Sequence, residues 1–212
     1  MKYKYKLRHT QRKTMSISIT VENEITVRAP WSAHEKDVEE FLESKKGWIE
    51  KVVNENARKF FNNEDVVNYE AVLVDGAQLP VVIGDKNEIA DDCVYLKDFK
   101  YIESVYEKKF GERLYNQVCE MAKITKTFPK SVKIKAYRGR WGCCDPQNNL
   151  VFNFLLFMLP PRLQRYVIVH ELCHTVCHNH SAGFWKLVSD FLPDYKADKK
   201  LLKSYDFLTV LY

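Results

Sequence analysis

The chain has 212 residues, a formal net charge of +5 and a hydrophobic fraction of 46%. These values fit one globular domain, or one domain with a smaller partner. No apolar run approaches the ~20 residues that span a bilayer, and residues 1–13 lack the apolar stretch of a signal peptide. We therefore expect a cytoplasmic protein without a membrane partner, whose six cysteines are reduced thiols.

The N-terminal segment is basic and alternates in polarity. Tyr3, Tyr5 and Leu7 alternate with charged residues, and a basic cluster precedes the first acidic residue, Glu22: Lys2, Lys4, Lys6, Arg8, Arg12 and Lys13. The alternation favours a strand with one solvated face. A surface for nucleic acid or acidic partners is the alternative.

The first third of the chain predicts a small antiparallel sheet and one long helix. Segments that alternate in polarity predict strands at residues 3–8, 15–21 and 24–28. Ser32 and Glu35 then form a capping-box pair ahead of apolar residues at helical spacing. This pattern predicts a single helix over about residues 33–60.

Three β-branched segments and a second helix follow. The segments AVLV, PVVI and CVYL, between Ala71 and Leu96, predict further strands of the N-terminal sheet. Asp98 then precedes a helix whose apolar residues predict a buried stripe: Ile102, Val105, Tyr106, Phe110, Leu114, Val118 and Met121.

Two strands separated by a loop are predicted next. The first contains Val132, Ile134 and Ala136, and the second contains Leu150 and Phe152. The loop between them, GRWGCCDPQNN, is rich in turn-forming residues. We expect the stretch Asn148 to Asn153 to be a strand edge that binds an extended peptide through main-chain hydrogen bonds.

The run HELCHTVCHNH, which begins at His170, contains the pattern H-E-x-x-H. On a helix, His170 and His174 lie one turn apart, roughly 6 Å along the same face, so both imidazoles can bind one zinc ion. Glu171 lies beside them, where its carboxylate can take a proton from a water molecule. It is therefore the candidate general base.

Catalytic zinc sites usually have three protein ligands, and two later histidines compete for the third place. His178 would lie about 12 Å from His170 along an unbroken helix, which is too far. His180 fits better, because Asn179 can adopt the left-handed conformation that ends many helices. Cys173 and Cys177, on the flank of the same helix, are further candidate ligands. No Glu follows Glu171, which excludes zincins with a glutamate ligand from a later helix.

The helix that carries H-E-x-x-H begins at Pro160 and Pro161 and is apolar nearly all round, which predicts a buried helix. Ser181 can cap the next helix, which Pro193 ends. A last short helix is expected over about residues 196–205.

Candidate substrate-binding residues are Arg140, Trp141 and Asn153. Arg138 and Arg140 can stabilise an oxyanion or bind phosphate, although surface charge is the commoner role of arginine. Trp141 is either a substrate-facing aromatic or, as we favour, an anchor that packs the loop. Candidate oxyanion partners are Tyr137, His178 and Tyr195.

The chain contains three longer motifs, which are YRGRWGCCD, NLVFNFLLFMLPP and YVIVHELCHTVCHNHSAGFW. Together they resemble the YgjP-like predicted metal-dependent hydrolases, relatives of the WLM and SprT zincin peptidases. They are similar to that family's R-W-G-S-C-S, L-N-x-x-L and H-E-L-x-H-x5-H-S-x-x-F-W. Here Cys143 and Asp145 stand in place of two serines, and Arg165 stands where an acidic residue is common.

The resemblance implies a zinc ion held by His170, His174 and His180, with Glu171 as base. It also implies an α+β fold with a β-rich region at residues 1–96, which includes one long helix, and a minimal zincin-like domain at residues 97–212. The leading function is hydrolysis of a peptide or protein substrate. The alternatives are hydrolysis of nucleoside triphosphates, which Arg138, Arg140 and the basic balance suggest, and a DNA-associated protease module.

Overall fold

The computed structural model describes residues 3–212. The α+β fold class is confirmed, and the chain divides into two compact units, Met1–Asn63 and Glu64–Tyr212. The strands between residues 71 and 96 fall in the second unit, so this division precedes the domain boundary predicted at residue 97, which stays a prediction. Lys2 of the basic cluster lies outside the described residues.

The first unit contains a three-stranded sheet and two helices, which are β1 (Tyr5–Thr10), β2 (Ser16–Ile19), β3 (Ile25–Pro30), α1 (Glu35–Ser44) and α2 (Lys46–Phe61). The predicted antiparallel sheet is wrong in one pairing. The strand order is β1-β3-β2, and β3 runs antiparallel to β2 but parallel to β1. Because β3 lies between the two earlier strands, it cannot form hairpins with both.

The core of this unit lies between β3 and the two helices. Ile25, Val27 and Ala29 point to one face of the sheet and are buried with Val38, Leu42 and Ile49 of the helices. The single helix predicted over residues 33–60 is wrong, because Lys45 leaves helical geometry at φ −106° and ψ 6° and separates α1 from α2. The apolar spacing continues through this one residue, so periodicity does not reveal the break.

The second unit begins with strands and a long helix, which are α3 (Glu64–Val67), β4 (Ala71–Val74), β5 (Ala77–Ile83), β6 (Glu88–Ile89), β7 (Val94–Leu96) and α4 (Ile102–Thr125). The four strands form their own sheet in the order β4-β5-β7-β6. The prediction that they extend the N-terminal sheet is therefore wrong. The buried stripe of α4 is confirmed, because all seven predicted residues are buried.

The rest of the second unit carries a smaller sheet and the C-terminal helices. These elements are β8 (Ser131–Lys135), β9 (Gly142–Cys144), β10 (Asn149–Asn153), α5 (Pro161–His174), α6 (Ala182–Phe191), α7 (Tyr195–Leu202) and α8 (Leu208–Leu211). β10 is central and pairs with β8 in parallel and with β9 in antiparallel orientation. The stretch Asn148 to Asn153 is thus not a free edge, and that prediction is wrong. Among residues 3–212, no helix combines the length and apolar character that crossing a bilayer requires.

Polar contacts fix the start of α5 against the β4–β5 turn. The Asp75 carboxylate accepts two hydrogen bonds from Arg113 of α4, at 2.6 and 2.7 Å, and one from Gln164 of α5. The backbone N–H groups of Asp75 and Gly76 donate to the carbonyls of Phe157 and Met158, just before α5. The β4–β5 turn thereby holds both the segment that precedes α5 and the first turn of α5 in place.

We predict that Gly76→Ala destabilises the protein. Gly76 has φ +85°, and an added Cβ would lie 2.7 Å from Cγ of Pro160. Backbone strain and this clash together should lower the free energy of unfolding by about 1–3 kcal/mol. Thermal unfolding measures the change. Gly84→Ala is the matched control, because nothing lies within 4 Å of its added Cβ. Equal melting temperatures for both variants would contradict the prediction.

Candidate metal centre

Helix α5 presents the H-E-x-x-H residues from a buried position. Pro161, Arg162 and Arg165 are exposed, and the other residues of α5 are buried or half-buried. Val169, Leu172 and Cys173 are among the buried residues. The prediction of a buried helix is thereby confirmed. The helix begins at Pro161, whose missing N–H would be unpaired in a first turn anyway. This burial holds the backbone of His170, Glu171 and His174 in a rigid setting.

A short loop brings a third histidine to the two on α5. The helix ends at His174, earlier than predicted, and Asn179 does not adopt a left-handed conformation. Instead, Asn179 Oδ1 accepts from the N–H of Ser181, and Ser181 Oγ in turn accepts from Phe184 at the start of α6. The turn that returns His180 to α5 is therefore made by side-chain capping.

The three imidazoles converge. One ring nitrogen from each of His170, His174 and His180 lies within 4.8 Å of the others, and the Nε2 atoms of His170 and His180 are 3.1 Å apart. Two nitrogens on one tetrahedral zinc ion would be ~3.3 Å apart. Neither His178 nor Cys177 belongs to this group. The donor set and its spacing thus fit a divalent metal ion.

Aromatic rings fix the orientation of the imidazoles. Phe184 is buried and contacts all three, with ring centroids 4.4 Å from His174 and 4.9 Å from both His170 and His180. Trp185 stacks on the exposed His180 ring at 5.4 Å, and Tyr195 also stacks on Trp185. The least buried of the three rings therefore has its own support.

Burial keeps the imidazoles on α5 neutral. It is the main cause that lowers the pKa of His170 to about 3, with smaller effects from the charges of His174 and His180. Burial also lowers the pKa of His174. The Nδ1 atom of His174 donates to the carbonyl of Cys177 at 3.0 Å, which leaves Nε2 with its lone pair. Neutral imidazoles are the form that binds metals.

The carboxylate of Glu171 lies against the backbone of β9. A Cβ added to Gly142 would be 2.9 Å from Cγ and 3.2 Å from Oε1 of Glu171, so only glycine allows this approach. Burial raises the pKa of Glu171 to about 8, while the positive charge of Arg140 opposes the shift. Burial also raises the pKa of Cys144 to about 11, and the charge of Glu171 adds to this effect.

A family model for the YgjP-like metallopeptidase domain matches residues 13–205. The chain belongs to the YgjP-like family. No curated protein and no solved structure matches it significantly. Membership indicates a metal-dependent hydrolase or peptidase in general, and the histidine cluster of this YgjP-like chain has the donor set such an enzyme needs.

The predicted substrate residues differ in their surroundings. Asn153 is 0% exposed, its side-chain amide donates to the carbonyls of Tyr137 and Arg140, and its Oδ1 accepts from Leu155. It has no surface for a substrate, so it organises the loop instead. Trp141 is also buried, 3.3 Å from Asp206 through Nε1, which fits the loop anchor. Arg140 alone is exposed.

Two residues of this YgjP-like site carry roles that the sequence reasoning missed. The sequence indicates only helix packing for Phe184, although the Ser181 cap places it in the first turn of α6, where its ring contacts all three imidazoles. Gly142 falls within the predicted loop GRWGCCDPQNN. No local pattern could reveal its contact with Glu171, because the two residues are brought together only when β9 pairs with β10.

We predict that single alanine substitutions of His170, His174 and His180 each reduce bound divalent metal far below the wild-type content. Each change removes one of three donors, and affinity falls steeply with donor number. Elemental analysis of folded, purified protein measures the metal. His178→Ala is the control, because His178 is exposed and outside the cluster, and it should retain wild-type metal content. Metal loss in this control alone would show that the cluster has been misassigned.

Proposed function

We propose that this protein is a zinc-dependent metallopeptidase. One observation carries the proposal: three imidazoles converge, and the buried carboxylate of Glu171, which follows His170 in the chain, is not part of their group. A structural zinc site would close all four positions with protein ligands and would need no such carboxylate. The YgjP-like membership supports hydrolysis in general, and the donor set supports zinc in particular.

Zinc suits three uncharged nitrogen donors better than magnesium or calcium, which prefer oxygen. His170, His174 and His180 would hold the ion. Bound there, zinc supplies Lewis acidity that polarises a carbonyl group and lowers the pKa of water.

Glu171 acts as the proton carrier. It lies on the same helix as two of the imidazoles and is 6% exposed, so its carboxylate is largely shielded from bulk water. Burial disfavours the ionised form, whereas Arg140 favours it. A divalent cation at the imidazoles would favour it further, because opposite charges stabilise each other strongly in a buried site. The carboxylate takes a proton from water and later donates it to the departing amine.

Among residues 3–212, β9 pairs only with β10, and its other edge is the proposed site for an extended substrate. Asp145 N–H donates to Asn149, and Asn153 N–H donates to Trp141. Because hydrogen-bonded pairs alternate along an antiparallel ladder, the main-chain groups of Gly142 and Cys144 point away from β10. An extended peptide can form hydrogen bonds with these main-chain groups and would then lie next to Glu171. The edge role predicted for Asn148 to Asn153 thus moves to the neighbouring strand.

We expect Glu171→Gln to retain metal but lose hydrolysis of an unfolded protein substrate by about 10²- to 10⁴-fold, because the amide cannot carry the proton. The measurement pairs peptide-bond cleavage with elemental analysis on one preparation. Full activity with bound metal would remove Glu171 from the mechanism. Release of phosphate or pyrophosphate from nucleoside triphosphates, with no proteolysis, would favour a phosphohydrolase instead.

We also expect Gly142→Ala to reduce cleavage by about tenfold or more at unchanged metal content. The new methyl group would displace the Glu171 side chain, and small misplacement of a catalytic group is costly. Gly142 does not have a positive φ, so the variant should fold. Gly183→Ala is the control, because its added Cβ meets nothing closer than 3.8 Å. Wild-type cleavage by Gly142→Ala would argue against the contact's importance.

A further inference from the structure

A groove runs between helix α4 and strand β8, both in the second unit. Two cavities form it, of about 740 and 450 Å³, and they share Tyr115 and Val132 in their linings. The larger lies beside the end of α4 and the segment that leads into β8. The smaller continues along β8 as far as Ile134. We call this surface the α4–β8 groove.

The groove follows an unpaired strand edge. Consecutive residues Val132, Lys133 and Ile134 all line the smaller cavity. Successive side chains of a strand point to opposite faces, so a cavity that touches three in a row lies along the backbone edge. In the described part of the chain, β8 pairs only with β10. Its other edge therefore has no strand partner among the described residues and faces the groove.

Large aromatic side chains are exposed in the groove. Phe128 is 85% exposed and Tyr115 is 57% exposed, and both line the larger cavity with Val118, Ala122 and Pro129. This lining is mostly apolar, and a contiguous apolar surface on a folded protein commonly marks an interaction site. The larger cavity has room for a bulky apolar side chain.

The charge of the groove selects the partner. Lys123, Lys126 and Lys130 line the larger cavity, and among residues 3–212 no acidic residue does. Glu107 contributes to the smaller cavity, at the opposite end of the groove. A second copy of this chain, paired edge to edge through β8, would bring like-charged lysines together, which disfavours self-association. An acidic partner complements the surface.

We propose that the α4–β8 groove binds an extended acidic segment of a partner protein. The segment adds to β8 as a further strand, and one of its bulky apolar side chains enters the larger cavity between Tyr115 and Phe128. Its acidic residues face the lysines. Main-chain hydrogen bonds supply affinity, while the cavity and charges supply selectivity. This binding site is independent of the histidine cluster and of the proposed peptidase activity.

The test uses a fluorescein-labelled peptide of sequence DIEFDVEID, which alternates acidic and apolar residues, and measures its binding to the full chain by fluorescence anisotropy. The Glu171→Gln variant prevents cleavage of the probe. We expect saturable binding that a peptide with alternate N-methylated amides loses. Phe128→Ala and the double variant K126E/K130E should each weaken binding about tenfold or more.

Matched variants distinguish binding in the groove from nonspecific binding of the peptide. Ile124→Ala is the apolar control, because Ile124 is 50% exposed near the end of α4 but does not line the groove. It should bind the probe as wild type does. K126E/K130E should instead gain affinity for the peptide KIKFKVKIK.

The proposal is overturned if the probe does not bind at a protein concentration of about 1 mM. It is also overturned if the groove variants bind the probe as tightly as the wild type. A dimer that is detected by sedimentation and dissociated by Phe128→Ala would also overturn it, because a second copy of the chain would then occupy the groove. Tighter binding of a single-stranded oligonucleotide through the same residues would equally overturn it.

Discussion

Three imidazoles held at one point are the constraint on which this site depends. Two come from one turn of a buried helix, and that burial keeps them neutral. The third comes from a loop closed by the Asn179 and Ser181 side chains. Phe184 contacts all three rings, so the packing of α6 against α5 sets their separation. The affinity of this site for a metal ion is therefore expected to depend on how α6 packs against α5.

The burial that suits the histidines works against Glu171. In the proposed mechanism Glu171 must be ionised to act as the general base, yet the same buried surroundings raise its pKa to about 8. Arg140 offsets part of this effect from the exposed side of the site. A cation among the imidazoles would offset more of it, so metal and base are expected to depend on each other. The close approach of Gly142 also holds the Glu171 side chain against β9, the strand that we propose binds the substrate.

In the part of the chain that the structure describes, the small sheet of the second unit has two edge strands, β9 and β8, with different surroundings. The β9 edge adjoins Glu171, whereas the β8 edge adjoins exposed aromatics and lysines. Because β10 occupies the centre, one sheet can present two separate strand-binding surfaces. Exposed strand edges carry an aggregation risk, and function is one reason to retain them. The lysines around β8 also limit unwanted self-pairing.

The sequence by itself determined the elements whose signal is local. It predicted the α4 stripe, the buried α5 with His170, Glu171 and His174, and the Ser181 cap, because helical spacing and capping act within a few residues. Tertiary structure alone decided what depends on pairing. It placed β10 in the centre of its sheet, separated β4 to β7 from the N-terminal sheet, and brought Gly142 against Glu171. Those outcomes arise from contacts between segments far apart in the chain, and the alternation of side chains along a strand does not reveal which strand will be its neighbour.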